Sequence, residues 1–306
     1  MKHSIYITAI LLVMFFISQL IGIAMIKAYA PVVTPEINQT TGQNITISPT
    51  IPYGYEPPKV EPAQALPSII IAMIVAILIL FLLMKIKANI FLRLWFFAVA
   101  VIAIGISLNG ILLLLKISFA YQIIIITALA LVLGFFKVFR RSLLIHNLTE
   151  LVIYPGIAVI LVPLFNLWAI IIFLILISLY DMYAVWQAKF MQKMAKFQIN
   201  HLKIFSGFFL PSIPLKDIKN IKDKSKAKKI KVSLAILGGG DIALPILAEG
   251  VIFLTKGFLP ALIVSLFATL ALFTLFLFSR KGKFYPAMPF ITAGIFLGML
   301  VVYLLF

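Results

Sequence analysis

The sequence predicts an all-α membrane protein: one polytopic domain over residues 1–306, built as a bundle of nine transmembrane helices with a cytoplasmic N-terminus and an outside C-terminus. Three observations predict it. Hydrophobic residues make up 63% of the chain and charged residues 11%, with a mean hydropathy of +1.17. A soluble domain carries about 45–50% apolar and about 25% charged residues. The apolar residues gather in runs close to the about 20 residues that a spanning helix needs. The 26 Lys and Arg outnumber the 9 Asp and Glu, and they segregate by loop. This composition excludes an ordinary soluble enzyme, a disordered chain and a nucleic-acid-binding domain. The chain has no cysteine, so disulfides and thiol catalysis are excluded, and His3, His146 and His201 are too few for a His-rich zinc site. No metal and no cofactor is expected.

The predicted spans, in order, are 5–26, 67–84, 92–115, 117–136, 150–165, 167–187, 232–255, 258–279 and 284–306. The first follows a basic start, and Ala28-Tyr29-Ala30 resembles a signal-peptidase site. Its apolar stretch is longer than the about 7–15 residues of a signal h-region, which favours a retained helix. Spans five and six are divided because Pro155, Gly156, Pro163 and Asn166 interrupt a stretch too long for one crossing. With the N-terminus inside, 22 Lys and Arg fall on the cytoplasmic side and 4 outside. The positive-inside rule therefore selects this orientation.

Two loops are long. Residues 31–66 form an extended outside loop rich in proline, in which Asn38 and Asn44 fit the N-glycosylation pattern. Residues 188–231 form a large basic cytoplasmic loop. Its second half, Lys216 to Lys231, is a solvated run that either contacts anionic lipid heads or simply obeys the positive-inside rule. Its first half is apolar at Ile204-Phe205, Phe208-Phe209-Leu210 and Ile213, too short to span. It is expected at the interface or folded over the bundle.

The acidic residues carry the functional reading. Glu36, Glu56 and Glu61 fall in the outer loop, Asp217 and Asp223 in the cytoplasmic loop, and Glu150 at the cytoplasmic start of span five. Asp181, Asp241 and Glu249 remain at membrane depth. A central charge costs at least about 2.5–3.5 kcal/mol, so such residues face the bundle interior and mark a function. No basic residue sits at their depth. Counting from the cytoplasmic ends at about 1.5 Å per residue, Asp181 and Asp241 reach similar depths on consecutive antiparallel helices. Glu249 lies near the outer face, where the plain reading is an acid that reaches water. Two carboxylates side by side in a dry place share a proton. One then serves as a general base on water while the other, protonated, polarises a peptide carbonyl.

Their neighbours fit that use. Gly238, Gly239 and Gly240 precede Asp241, weakening the helix and letting another backbone approach; the alternative is small-residue helix packing. Tyr180 adds a ring and a hydroxyl beside Asp181. In span nine, Pro286 and Pro289 flank Ala287 and Met288. Inside a helix they leave carbonyls unpaired, open to an extended substrate by strand addition; the alternative is an ordinary proline start to a helix.

Tyr180-Asp181 on span six, Gly238-Gly239-Gly240-Asp241 on span seven and Pro286-Ala287-Met288 on span nine resemble the Y-D, G-x-G-D and P-A-L motifs of the presenilin and signal-peptide-peptidase family of intramembrane aspartyl proteases. The departure is Met288 where that family has Leu. The resemblance implies that Asp181 and Asp241 are the catalytic dyad and that Pro286, Ala287 and Met288 shape the active site. With the inside N-terminus it implies the presenilin branch and, in a chain this short, a prokaryotic, archaeal-type homologue. It also implies substrates that are single spans with the N-terminus outside, a location in the cell membrane, and no obligatory partner subunits; a homo-oligomer stays open. The runner-up is an ion-coupled secondary transporter that uses the same Asp pair as a proton or sodium relay. It lacks an inverted repeat and has no use for the span-nine prolines. A prepilin-peptidase-like protease shares the G-x-G-D chemistry with about six spans, and a helix-binding protein without cleavage is the third alternative.

Overall fold

Apolar length and glycine or proline punctuation decide where helices start and stop in this chain. The computed structural model describes residues 5–37, 44–47, 49–56, 62–86, 88–140, 142–187, 206–212, 233–279 and 285–306. Among them are nine helices: α1 (Ile5–Tyr29), α2 (Pro62–Lys85), α3 (Asn89–Leu114), α4 (Gln122–Phe139), α5 (Leu143–Leu161), α6 (Leu167–Trp186), α7 (Gly239–Lys256), α8 (Phe258–Phe278) and α9 (Met288–Leu305). Eight helices are long and apolar enough to cross a membrane. The remaining one is α7, which opens on two glycines and carries Asp241, Glu249 and Lys256. Much of the basic loop lies outside the described residues, as do Asn38 and residues 280–284.

Four strands form two antiparallel pairs. In the outer loop β1 (Val32–Ile37) pairs with β2 (Asn44–Ile47). The second pair bears on function: β3 (Gly207–Ser212) runs against β4 (Ser233–Gly238), with Gly207 opposite Gly238 and Ser212 opposite Ser233. One expectation is corrected here, while the apolar stretch of the basic loop lies folded against the bundle as expected. The start of span seven is a strand as far as Gly238, and its helix begins at Gly239. The apolar stretch of the basic loop supplies its partner, with Phe208 fully buried. An apolar run of six residues suits a buried strand as well as a helix, and only a partner strand decides between them.

Three other boundaries move. Helix α5 starts at Leu143, well before residue 150, because Ser142 caps it by accepting the Ile145 N–H at 3.5 Å. Helix α4 begins at Gln122, after Tyr121 in the left-handed region. Helix α9 begins at Met288, not near 284, so Pro286 precedes the helix and Pro289 occupies its second position. The missing N–H of a first-turn proline would be unpaired anyway. The ordinary proline start is therefore the correct reading. The break between spans five and six is a short 3-10 turn (Val162–Leu164). After it, Asn166 caps α6 by accepting the Ala169 N–H at 2.7 Å.

Helix α1 lies inside the bundle against α3, α5, α7 and α8. Its approach to α7 depends on small residues: a Cβ on Gly250 would lie 2.5 Å from Ile26 and 2.6 Å from Val162. Phe15, Ile23, Ile242, Ile246, Leu272 and Ile291 fill the resulting core. Helix α2 stands apart, with none of its apolar window buried. It and the outer faces of α3 and α4 expose Ile71, Leu78, Trp95 and Ile124. Such a wall of exposed apolar side chains suits lipid.

Candidate active site

Asp241 stands in the first turn of α7, three residues after the end of β4. Its carboxyl group turns back over Gly238: a Cβ there would lie 3.1 Å from Asp241 Oδ2. Side chains in the first helical turn commonly reach back to the N-cap amide in this way. The residues of β4 before Asp241 advance about 3.3 Å each and not the helical 1.5 Å, so its depth does not follow from a helical count. Helices α6 and α7 pack against each other, so the two acidic residues stand on neighbouring helices.

Asp181 sits in the last third of α6 and is 5% exposed. Its Oδ2 accepts the backbone N–H of Met288 at 3.1 Å. Met288 is the first residue of α9, so the carboxylate caps a neighbouring helix in place of that helix's own N-cap side chain. Ser178, one turn earlier, donates its hydroxyl to Thr292 Oγ1 at 2.8 Å, which ties α6 to α9 beneath the site.

The three glycines have three different surroundings. Gly238 makes room for the Asp241 carboxyl group. Gly239 is wedged: a Cβ would sit 2.5 Å from the Tyr154 hydroxyl and 2.6 Å from Ser206 Oγ. Gly240 is exposed and has open space where its Cβ would be. Tyr180 is half-buried beside Asp181, close enough to feel its charge. Pro286 and Met288 are buried, and Ala287 is the N-cap whose carbonyl accepts the Ile291 N–H at 3.1 Å. Pro289 is partly exposed. The structure thus gathers Asp181, Asp241, Gly238, Ala287 and Met288 at one place, where α6, α7 and the start of α9 converge.

Glu249 does not reach water. It is 0% exposed, and among the described residues neither carboxyl oxygen makes a hydrogen bond of normal geometry. Depth counted along one helix ignores what packs around it, and here α1 and α8 cover α7. Glu150 is not a surface residue at a helix start either: it is 0% exposed and ion-paired to Lys137 of α4, with His146 Nε2 3.5 Å away.

A polar face of α5 next to the site went unread in the sequence. His146 Nε2 donates to the Gly207 carbonyl at 2.8 Å. Asn147 Nδ2 donates to the Phe209 carbonyl at 2.8 Å, and the Phe209 N–H donates to Asn147 Oδ1 at 3.0 Å. Tyr154 Oη is 3.2 Å from Ser206 Oγ, and the Gly239 N–H donates to the Ser206 carbonyl at 3.1 Å. The spacing 146, 147, 150 and 154 puts these side chains on one helical face, a signal that could have marked them. Among the described residues no group of His, Cys, Asp and Glu is arranged to hold a metal ion.

Apolar helices surrounding paired carboxylates define a class, the intramembrane aspartyl protease. The family model described as "Signal-peptide peptidase, presenilin aspartyl protease" matches residues 50–306, and the chain belongs to that family. It is a multi-pass integral membrane enzyme that acts on transmembrane substrates within the bilayer. The fold is similar to that of a solved presenilin family intramembrane aspartate protease in the C222 space group, with a TM-score of 0.61 and 18% identity over 98% of this chain and 99% of that one. The P2 form of a presenilin family intramembrane aspartate protease gives 0.60 and 17%, with 97% of each chain covered. No curated protein matches the sequence. The transporter reading finds no support in these matches.

Proposed function

We propose that Asp181 and Asp241 are the catalytic pair, in a nine-span bundle with its N-terminus in the cytoplasm. The observation that supports this is that Asp181 takes the first amide of α9 while Asp241 stands in the first turn of α7, on helices α6 and α7 that pack together, with no salt-bridge partner for either among the described residues. One carboxylate takes a proton from water, and the resulting hydroxide adds to the scissile carbonyl. The other carboxyl group donates its proton to the carbonyl oxygen as charge develops there. The first then gives its proton to the leaving amine while the second takes a proton back from a hydroxyl of the tetrahedral intermediate; the C–N bond breaks, the product carboxylic acid forms, and the pair regains its starting state. The peptide must be extended to react, because a helical carbonyl is already bonded and screened by its own turn. Pro286, Ala287 and Met288 shape the floor of the site, while Tyr180 flanks it. Gly240 leaves the space through which substrate backbone reaches Asp241. The substrates are single spans with the N-terminus outside, and cleavage needs no partner subunit, whether the enzyme is monomeric or homo-oligomeric.

The test is a cleavage assay on purified full-length protein, with a single-span peptide in the N-outside orientation in liposomes. Wild type cuts, while Asp181→Asn and Asp241→Asn do not. Cutting by either folded variant rejects the dyad.

A further inference from the structure

A two-stranded ribbon is marginal by itself in water, yet β4 leads directly into Gly238 and Asp241. Whatever holds that ribbon holds the carboxyl group. In an antiparallel pair, alternate residues face the partner strand and the rest face outward. The outward main-chain groups of β3 are met by α5. The Gly207 carbonyl receives His146, and the Phe209 N–H and carbonyl are both taken by Asn147. The next outward residue, Pro211, has no N–H to offer. Phe208 and Leu210 are left to pair with Leu237 and Ala235 of β4.

Asn147 is thus used as a strand would be: its side-chain amide presents one donor and one acceptor to a single residue. It reads register as well as position. A slip of β3 by one residue would bring the wrong main-chain groups to Asn147 and turn Phe208 out of the core. Behind it, Glu150 stands between Lys137 and His146 with all three side chains largely buried, which ties α4 to the residue that holds Gly207. Tyr154 continues the same face to Ser206, whose carbonyl accepts the Gly239 N–H.

We propose that Asn147, braced by His146, Glu150 and Lys137, is a positioning clamp that seals the outer edge of β3, sets the register of the β3–β4 ribbon and thereby aims Asp241 at Asp181. This rests on the assignment of the Asp pair. The clamp is separate from substrate binding: it closes one edge of the ribbon and leaves β4's outward main chain untouched.

The experiment uses full-length protein in liposomes with the single-span peptide. Three quantities are read: kcat and KM, amide hydrogen exchange over 206–212 and 233–238, and the melting midpoint. Asn147→Leu keeps the volume and removes both hydrogen bonds. It should lower kcat by about ten- to a hundredfold, the scale on which about 1 Å of misplacement acts. KM should stay within about twofold of wild type, since uniform binding is untouched. Exchange should rise in the ribbon alone, with the midpoint retained. Asn147→Asp keeps the acceptor for the Phe209 N–H but not the donor, and should fall between wild type and Asn147→Leu in kcat and exchange. If Asn147→Leu fails to fold, Asn147→Asp decides alone. Wild-type kcat, unchanged ribbon exchange, or a fall in kcat that only tracks a lower midpoint overturns the clamp. Asp181→Asn runs in parallel: if it still cuts, the dyad assignment has failed, whereas a dead Asp181→Asn beside a wild-type-like Asn147→Leu rejects the clamp only.

Discussion

Replacing each of the three consecutive glycines by alanine should give three different results, because their surroundings differ. Gly239→Ala would place a methyl group 2.5 Å from Tyr154 Oη and 2.6 Å from Ser206 Oγ. Neither neighbour is free to retreat: Tyr154 is buried, and Ser206 also accepts the Gly239 N–H through its carbonyl. Overpacking of this kind costs about 1–3 kcal/mol, set against a helix-propensity gain of about 0.8–1.0 kcal/mol for Gly→Ala. The net is a loss of up to about 2 kcal/mol, read as a lower melting midpoint. Gly240→Ala meets nothing within 4 Å, so the propensity gain stands and the midpoint should rise. Gly238→Ala has a favourable backbone already, with φ −65° and ψ 146°, so the fold should tolerate it. Its methyl group would lie 3.1 Å from Asp241 Oδ2, so cleavage should fall while the midpoint stays. The assay is a thermal melt paired with the cleavage rate for each purified variant. A Gly240→Ala variant less stable than Gly239→Ala would refute this reading of the glycines.

The other predictions concern the buried acids and Met288. Asp181→Asn and Asp241→Asn should abolish cleavage and keep the fold, since an asparagine oxygen at position 181 still accepts the Met288 N–H; size-exclusion profiles and melts check the fold. Glu249→Leu removes a fully buried carboxyl group that makes no hydrogen bond of normal geometry among the described residues, and should stabilise the protein by about 1–3 kcal/mol, the usual cost of such a group; an unchanged or lower midpoint would count against it. Met288→Leu conserves side-chain volume and leaves the backbone N–H on Asp181, so cleavage should persist within about tenfold, the rate equivalent of the cost below about 1.5 kcal/mol for such swaps. Loss of cleavage there would tie the reaction to the thioether itself.

The apolar content, the segregation of cations and the Tyr180-Asp181 and Gly238–Asp241 stretches were legible because each is local in the chain. What was not legible depends on distant partners. The Ser233–Gly238 run became a strand because residues 207–212 lie beside it, and its own pattern suits a helix equally. Glu150 was placed at the cytoplasmic start of span five, and its burial against Lys137 depends on another helix. Glu249 was misjudged because depth says nothing about which helices cover a side chain. The α5 face could have been found from its spacing, yet its polar residues argued for loop rather than helix in a hydropathy reading.

Among the described residues, Asp181 and Asp241 each meet a helix start and have no salt-bridge partner. Asp181 receives the first amide of α9, and Asp241 stands in the first turn of α7. Each therefore faces the positive end of a helix dipole, an interaction of about 0.3–1 kcal/mol when exposed and up to about 2 kcal/mol when partly buried. That accounts for the late starts of both helices. Had α7 begun at residue 232, Asp241 would lie mid-helix, its amides already spent within the turn. Had α9 begun near 284, the Met288 N–H would bond to residue 284 and be lost to Asp181. The strand before Asp241 and the prolines around Met288 each move a helix start to the place where its free amides meet a carboxylate. Backbone amides thus supply positive partial charge to each carboxyl group, and backbone neither titrates nor competes for a proton.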